Sequence, residues 1–166
     1  MPDFRDAMRG AGLQSSKAPG PPKPAAQDLR GPPAAAGNPF KPPYPQYFHD
    51  QALRVSLVLD EAEAIAALFE RDRLKKHQLR AFYDHAKRQL QRLTYGTRFA
   101  EVWPEIARLK AFAADRAGRA ENALPPSFKQ FIDLNVAAVV DRDSFQKGFI
   151  PHFEAVVAYS ARIIKD

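Results

Sequence analysis

The stretch RLKKHQLRAFYDHAKRQLQR, residues 73–92, has the apolar spacing of an amphipathic helix, and nearly all its outward positions are Lys, Arg or His. Its apolar positions fall on one stripe of a helical wheel, which predicts a buried face made of Leu79, Phe82, Ala86, Leu90 and Leu93. The TYGT sequence that follows is typical of a helix end, so the predicted helix covers about residues 75–93. The basic side of this helix is either ordinary solvated surface or a surface that binds a polyanion.

The same helical spacing continues through the chain from residue 51, and it predicts an all-α fold, a compact bundle of about five helices. The other four helices are predicted at about residues 60–72, from 99 or 104 to 117, from 125 onward, and from 143 to 164. Two helix starts have the spacing of a cap, Asp60 with Glu63 and Asp143 with Gln146.

Three local features of this bundle follow from residue type. The sequence ALRVSLVL before the first helix is compatible with either a strand or a helix. The third helix is expected to bury an apolar stripe of Val102, Ile106, Leu109 and Phe112. Gly148 and Pro151 are expected to kink the last helix or to separate its first turn.

Residues 1–50 are predicted to form a flexible or extended Pro/Gly/Ala-rich tail, followed by the helical domain at residues 51–166. Eleven of the fifteen prolines and five of the eight glycines lie in this tail, which has few large apolar side chains to offset the entropy of ordering. A linker or unstructured arm is the favoured interpretation. A ligand for a proline-binding groove, or an anchor formed by Tyr44, Tyr47 and Phe48, is the alternative.

The composition limits the class of protein. A length of 166 residues suits one domain, and no apolar run is long enough to cross a bilayer, so we expect no membrane partner. The sequence has no cysteine, and its N-terminus lacks the apolar core of a signal peptide, which together predict a cytoplasmic protein. The net charge of +6 indicates attraction to phosphate only if the cations are concentrated on one surface.

The cations are concentrated in two groups. Lys76, Arg80, Tyr83 and Lys87 form a ridge about 100° around the second helix from its apolar stripe. Such a row matches the phosphates of a nucleic acid, and an aromatic ring within it can stack on a base. A solvated face with Asp84 as an intrahelical partner is the competing interpretation. A second group lies on and just after the third helix, Arg108, Lys110, Arg116 and Arg119, where a helix C-terminus favours cations in any case.

No catalytic constellation is found in the sequence. The four histidines, His49, His77, His85 and His152, lack the spacing of metal ligands. The pair Asp141 and Asp143 resembles the start of a calcium loop without its remaining ligands, so a turn and helix cap explains it better. There is no glycine-rich phosphate loop and no nucleophile elbow. We therefore expect no catalytic residues, no metal and no cofactor, and a protein that is not an enzyme.

Three stretches resemble one family, the small subunit of the type III-A CRISPR effector, the Csm complex. LKKHQLRAFYDHAKR at 74–88 is similar to its helix with a Gln-apolar-Arg element, LKAFAADRAGR at 109–119 to its segment that ends in Gly-Arg, and FEAVVAY at 153–159 to its C-terminal helix. The resemblance extends over about residues 55–164. Two features depart from the family pattern: Asp115 stands where an aromatic residue is expected, and the proline-rich tail is not part of the pattern.

The resemblance implies a non-catalytic, RNA-binding structural subunit in antiviral defence, present in several copies along the guide–target RNA. Its partners would be the guide RNA and target RNA, the other Csm subunits and further copies of itself. Base pairing reads the sequence in such complexes, so the protein needs only backbone contacts. Arg80 and Arg119 match basic positions of the family, and Phe153 and Tyr159 are assigned to packing. The full set of expected RNA-binding residues is Lys76, Arg80, Tyr83, Lys87, Arg88, Lys110 and Arg119.

Two other functions remain as alternatives. A helical adaptor or homodimer would use its apolar faces to bind protein, and its basic face would be only solvated surface. An RNA-cleaving enzyme would need an acid cluster, which the sequence lacks.

Overall fold

The computed structural model describes residues 37–165, and within this range it contains five α-helices, as the sequence predicted. They are α1 (Asp60–Arg71), α2 (Lys76–Thr94), α3 (Phe99–Ala117), α4 (Pro126–Ala138) and α5 (Ile150–Ile163). A short antiparallel hairpin, β1 (Phe48–His49) and β2 (Ala52–Leu53), precedes a 3₁₀ turn at Val55–Val58, and a π-helical turn at Ser144–Phe149 leads into α5. The prediction of an all-α bundle is confirmed.

The helices pack around a core of phenylalanines. α1 packs against α5, α4 packs against α3, and α2 contacts both α3 and α5. Neighbouring phenylalanine rings in the core have centroids 5.1 to 6.0 Å apart, many of them edge to face, and they belong to Phe69, Phe82, Phe128, Phe131, Phe149 and Phe153. Each such pair adds about 1 kcal/mol beyond the burial of its surface. Phe153 is fully buried and Tyr159 packs against the core, which agrees with their assignment to packing.

The two predicted caps are wrong. Asp60 is the first helical residue of α1, behind Leu59, and no side chain caps that end. Glu61 instead accepts hydrogen bonds from the Arg54 guanidinium and, at 2.7 Å, from the Ser56 hydroxyl. At the other site, Asp141 rather than Asp143 accepts the Ser144 backbone N–H at 2.7 Å, and this bond holds the pKa of Asp141 below its ordinary value. At the start of α1 the acidic residue bonds to the preceding segment instead of capping the helix, and at the other site the capping carboxylate lies two residues before the predicted one.

The ambiguous segment before α1 is both extended and helical. β1 and β2 are joined by a two-residue turn, Asp50 and Gln51, both with positive φ, which is the backbone that tight hairpins require. The last helix changes character where the sequence predicted it, because the π-helical turn ends at Phe149 and Pro151 lies in the first turn of α5. Gly148 lies in the π-helical turn, and a Cβ at this position would be 2.6 Å from the ring of Tyr47.

The expected boundary at residue 51 differs from the structure, because residues 40–48 pack on the helices. We call this segment the aromatic strap. Phe40, Tyr44 and Tyr47 are buried, with 5%, 7% and 4% of their surfaces exposed. The proline-rich composition indicated a tail, yet its aromatic residues bury enough surface to order the segment. The remainder of the predicted tail, residues 1–36, lies outside the described residues.

A buried chain of hydrogen bonds holds the aromatic strap in place. His152 Nδ1 lies 2.6 Å from the Leu57 carbonyl oxygen, which can only accept, so Nδ1 carries the proton and Nε2 accepts from the Tyr44 hydroxyl at 2.8 Å. Asn135 Nδ2 donates to the Tyr44 oxygen at 2.6 Å, and Asn135 Oδ1 accepts from the Tyr47 hydroxyl at 2.8 Å. Desolvation lowers the pKa of His152 to about 4 and raises the pKa values of both tyrosines. The network is therefore uncharged at neutral pH.

No helix within residues 37–165 is both long enough and apolar enough to span a membrane.

Candidate nucleic-acid interface

The three side chains of the Gln78-Leu79-Arg80 element have three different surroundings. Gln78 is buried; its Oε1 accepts the Lys75 backbone N–H at 3.1 Å at the start of α2, and its Nε2 donates to the Asn122 carbonyl at 2.8 Å. Leu79 belongs to the core, and Arg80 is exposed on the outer face. The first two residues thus fix the start of α2, and the third carries the charge outward.

The predicted ridge on α2 includes cations without ionic partners. Arg80 is exposed and Lys76 partly exposed, and within residues 37–165 no carboxylate oxygen lies within 4.0 Å of either charged group. Lys87 differs, because its Nζ lies 3.9 Å from Glu154 Oε1 on α5. The ridge therefore presents two unneutralised cations, one turn apart, and a third cation that is shared with a carboxylate.

Tyr83 packs into the protein from this ridge. Its ring contacts Phe153 edge to face at 5.4 Å, and Lys87 Nζ lies 5.8 Å from its centroid. Partial burial raises the pKa of Tyr83 to about 12, and the neighbouring Glu154 carboxylate adds to the effect. The Tyr83 ring is therefore partly exposed and already in contact with Phe153 and Lys87.

The remaining predicted residues lie in three different surroundings. Arg88 lines a groove of about 380 Å³ between α2 and α3. Lys110 lies on the other flank of α3, in a groove with Trp103 and Val140 on the α4 side. Arg119 is exposed and forms an ion pair with Asp115 at 2.7 Å. The structure thus brings Arg88 close to α3 and places Lys110 in a different groove from Arg88. It also places the Asp115 carboxylate against Arg119, at the position where the family pattern has an aromatic residue.

The groove between α2 and α3, which we call the α2–α3 groove, also contains residues that the sequence reasoning did not assign to the site. Arg116 lines it, with its guanidinium carbon 5.4 Å from the centroid of Phe82. His85 and Phe112 line it as well, with ring centroids 5.6 Å apart. Phe112 was predicted to be buried and is 41% exposed instead, because Ala113 occupies that position of the buried stripe. The wheel position of Phe112, at the edge of the stripe, was the available signal.

The outer face of α2 and the α2–α3 groove form one basic surface. On a helical wheel, the positions of Arg80 and Arg88 are separated by about 80°, with Asp84 between them. Arg88 and Arg116, like Arg80, have no carboxylate oxygen within 4.0 Å in the part of the chain that the structure describes. This surface can bind phosphate groups without first breaking an ion pair.

Among residues 37–165, no group of three His, Cys, Asp or Glu side chains is placed to hold a metal ion. His49 pairs with Asp50 at 3.1 Å on the exposed hairpin turn.

Comparison with known proteins gives one match. The model of the family described as Csm2 Type III-A matches residues 52–164, more than half of the chain and the whole of the helical bundle. No curated protein and no solved structure gives a significant match. The matched range includes all three stretches that carry the resemblance, together with both parts of the basic surface. The chain belongs to the Csm2 Type III-A family and is a small structural subunit of a type III-A CRISPR effector (Csm) complex.

Proposed function

We propose that this subunit binds RNA through the outer face of α2 and the α2–α3 groove, in contact with the backbone of the guide–target RNA. The observation that carries the proposal is the set of cations without carboxylate partners on one surface, Lys76, Arg80, Arg88 and Arg116. Each cation that meets a phosphate releases a counterion, so binding should weaken as salt is added.

The shape of this surface suits a backbone rather than a base sequence. Lys76 and Arg80 are one helical turn apart, about 6 Å, which is close to the spacing of successive phosphates. Base pairing supplies the sequence specificity in guide–target complexes, so cations without a fixed hydrogen-bonding pattern are sufficient. Of the two family positions, Arg80 is the stronger candidate, because Arg119 must first leave Asp115.

The wider proposal follows from the family. The subunit is non-catalytic, is repeated in several copies along the RNA, contacts other Csm subunits and further copies of itself, and acts in antiviral defence in the cytoplasm. Several weak contacts in one assembly add through multivalency, so each copy needs to hold only a few nucleotides.

The experiment is purification of an affinity-tagged full-length chain from its host at low salt, with sequencing of the RNA and identification of the proteins that accompany it. Short RNAs with a common repeat-derived end, together with a large subunit and a filament-forming subunit, are expected. The tag alone is the control. Purification of the chain without RNA, or with one unrelated partner, would contradict the proposal.

The alternative function, a protein adaptor or homodimer, is favoured by one observation. The groove between α3 and α4 is lined mainly by apolar residues, and Val140 at its rim is 76% exposed. If a second copy of the chain covers this groove, the isolated chain should form a defined dimer on size-exclusion chromatography with light scattering, and should bind RNA with little dependence on salt.

A further inference from the structure

The α2–α3 groove contains an exposed aromatic ring, Phe112, that has no role in contacts between cations and the RNA backbone. Phe112 is 41% exposed, although α3 has a buried stripe on its other side. Single exposed apolar residues are common on protein surfaces, so exposure alone implies nothing. What distinguishes Phe112 is that it shares the groove with two arginines, Arg88 and Arg116, that have no carboxylate partners among residues 37–165.

The side chains around Phe112 are held by contacts within the protein. The Arg116 guanidinium lies over the ring of Phe82 at 5.4 Å. His85 Nε2 lies 2.8 Å from the Glu105 carbonyl oxygen, which can only accept, so this nitrogen donates and the imidazole is oriented. The His85 ring meets Phe112 edge to face, with an interplanar angle of 86°. A ligand in the groove would therefore meet side chains that are already ordered, which lowers the entropic cost of binding.

Two tyrosines on α2 or at its end provide a contrast. Tyr83 is only partly exposed, its ring contacts Phe153 of the core, and Lys87 beside it is shared with Glu154. Tyr95 is 88% exposed just after α2, but it does not line the groove. Within the α2–α3 groove, Phe112 combines an exposed ring with cations that line the same groove.

We propose that the α2–α3 groove receives one unpaired nucleobase of an RNA strand, stacked on Phe112, while Arg88 and Arg116 contact the phosphates on either side of it. An aromatic ring beside cations is the combination that single-strand binding surfaces use, and it accepts any base because every base has a π face. Asp84 also lines the groove and repels phosphate, so the base rather than the backbone occupies its side of the groove. This inference rests on the proposed function and adds to it a stacking site.

The test uses the full-length chain and a single-stranded RNA oligonucleotide in which one base is 2-aminopurine, whose fluorescence is quenched by stacking on an aromatic ring. Wild-type protein should quench the probe. Phe112→Ala should abolish the quenching by protein and weaken binding about 5- to 150-fold, the range measured for loss of one stacked base. The dependence of the affinity on salt should stay unchanged, because Phe112 carries no charge.

Two matched variants guard against misfolding. Phe112→Trp keeps a stacking surface and should retain quenching, and Tyr95→Ala removes a more exposed aromatic residue outside the groove and should leave the probe unaffected. If the wild-type chain shows no salt-dependent RNA binding, the proposed function itself fails. If the wild-type chain binds with a normal salt dependence but Phe112→Ala behaves like Tyr95→Ala, the base site is wrong and the proposed function stands.

Discussion

The aromatic strap and the outer face of α2 both combine aromatic rings with polar groups. The polar groups are bonded within the protein in the first region and face solvent in the second. In the network that holds the strap, the hydroxyls of Tyr44 and Tyr47 bond with the amide of Asn135 on α4 and with His152 on α5, whose other ring nitrogen bonds to the backbone. On α2, Arg80 and Arg88 have exposed guanidinium groups without an ionic partner among the described residues.

The difference separates stability from binding. A buried polar group must find its partner inside the protein, because leaving it unpaired costs about 1 to 3 kcal/mol. An exposed cation is solvated by water and costs little when it lacks a partner. Substitutions in the strap network should therefore change stability and leave RNA affinity unaltered for folded protein, while substitutions on α2 should do the reverse.

The largest effect on stability is expected at the centre of the network. Asn135→Ala removes the donor to the Tyr44 oxygen and the closer of two acceptors of the Tyr47 hydroxyl, which keeps the backbone carbonyl of residue 135 at 3.1 Å, and it leaves a cavity. We therefore expect a loss of about 3 to 4 kcal/mol. Gln130→Ala, an exposed position on the same helix, is the matched control and should cost less than about 0.5 kcal/mol. Chemical denaturation of both variants measures the difference. Equal stabilities would mean that the network does not hold the strap.

The second effect is a dependence of stability on pH. His152 has a pKa of about 4 in the folded protein, below the ordinary value of 6.5, so between these values the unfolded chain binds more protons. Its contribution is fully present above pH 6.5 and is lost as the pH falls to about 4, and it amounts to about 3 kcal/mol because one pKa unit is worth about 1.4 kcal/mol.

The variant His152→Gln isolates this contribution. The difference in the free energy of unfolding between wild type and variant should shrink by about 3 kcal/mol from pH 7 to pH 4, since other titrating groups cancel. A difference that stays constant from pH 7 to pH 4 would show that the buried imidazole is not neutral in the way described.

The third effect compares two glycines. Gly148→Ala places a methyl group 2.6 Å from the ring of Tyr47, and we expect a loss of about 1 to 3 kcal/mol from overpacking. Gly118, at the end of α3, has a negative φ of −82° and a Cβ there would meet only ordinary contacts, so Gly118→Ala should be neutral or stabilising by about 0.5 kcal/mol. In thermal melts, the melting temperature should fall for Gly148→Ala and should stay unchanged or rise for Gly118→Ala.

The smallest effect on stability is expected on α2. Arg80→Gln and Arg119→Gln should each change the free energy of unfolding by less than about 0.5 kcal/mol, because both side chains are exposed. Their RNA affinities should differ, with the larger loss for Arg80→Gln, because Arg119 is already paired with Asp115. Filter binding at several salt concentrations measures this. Equal losses would place both residues in the same kind of contact.

The parts of the fold that depend on local spacing could be predicted from the sequence. The five helices follow from apolar residues at helical intervals, and the change from the π-helical turn to α5 lies next to Gly148 and Pro151. The sequence offered an anchor at Tyr44, Tyr47 and Phe48 only as the less favoured alternative, because the order of the strap depends on bonds between residues about 90 positions apart, such as Asn135 with Tyr44. Composition alone indicates a flexible segment when a few aromatic residues are diluted by proline.

The candidate site shows the same division. The outward position of Arg80 follows from its place on the wheel of α2. The ion pair between Lys87 and Glu154 depends on the packing of α5 on α2, and the separation of Lys110 from Arg88 depends on which flank of α3 faces α4. Helix periodicity gives the direction of each side chain relative to its own helix, and only tertiary packing decides which of these directions meet.

The most direct test of the basic surface is the salt dependence of RNA binding by the full-length chain. Arg80→Gln/Arg88→Gln/Arg116→Gln removes three cations of the surface, and Lys129→Gln/Lys147→Gln removes two cations that are paired with carboxylates elsewhere on the protein. In a plot of log affinity against log salt, each phosphate contact on a single strand contributes a slope of about 0.7, so the triple variant should lose about 2 from the slope. The double variant should keep the wild-type slope. Equal slopes for the wild type and the triple variant would contradict RNA binding at this surface.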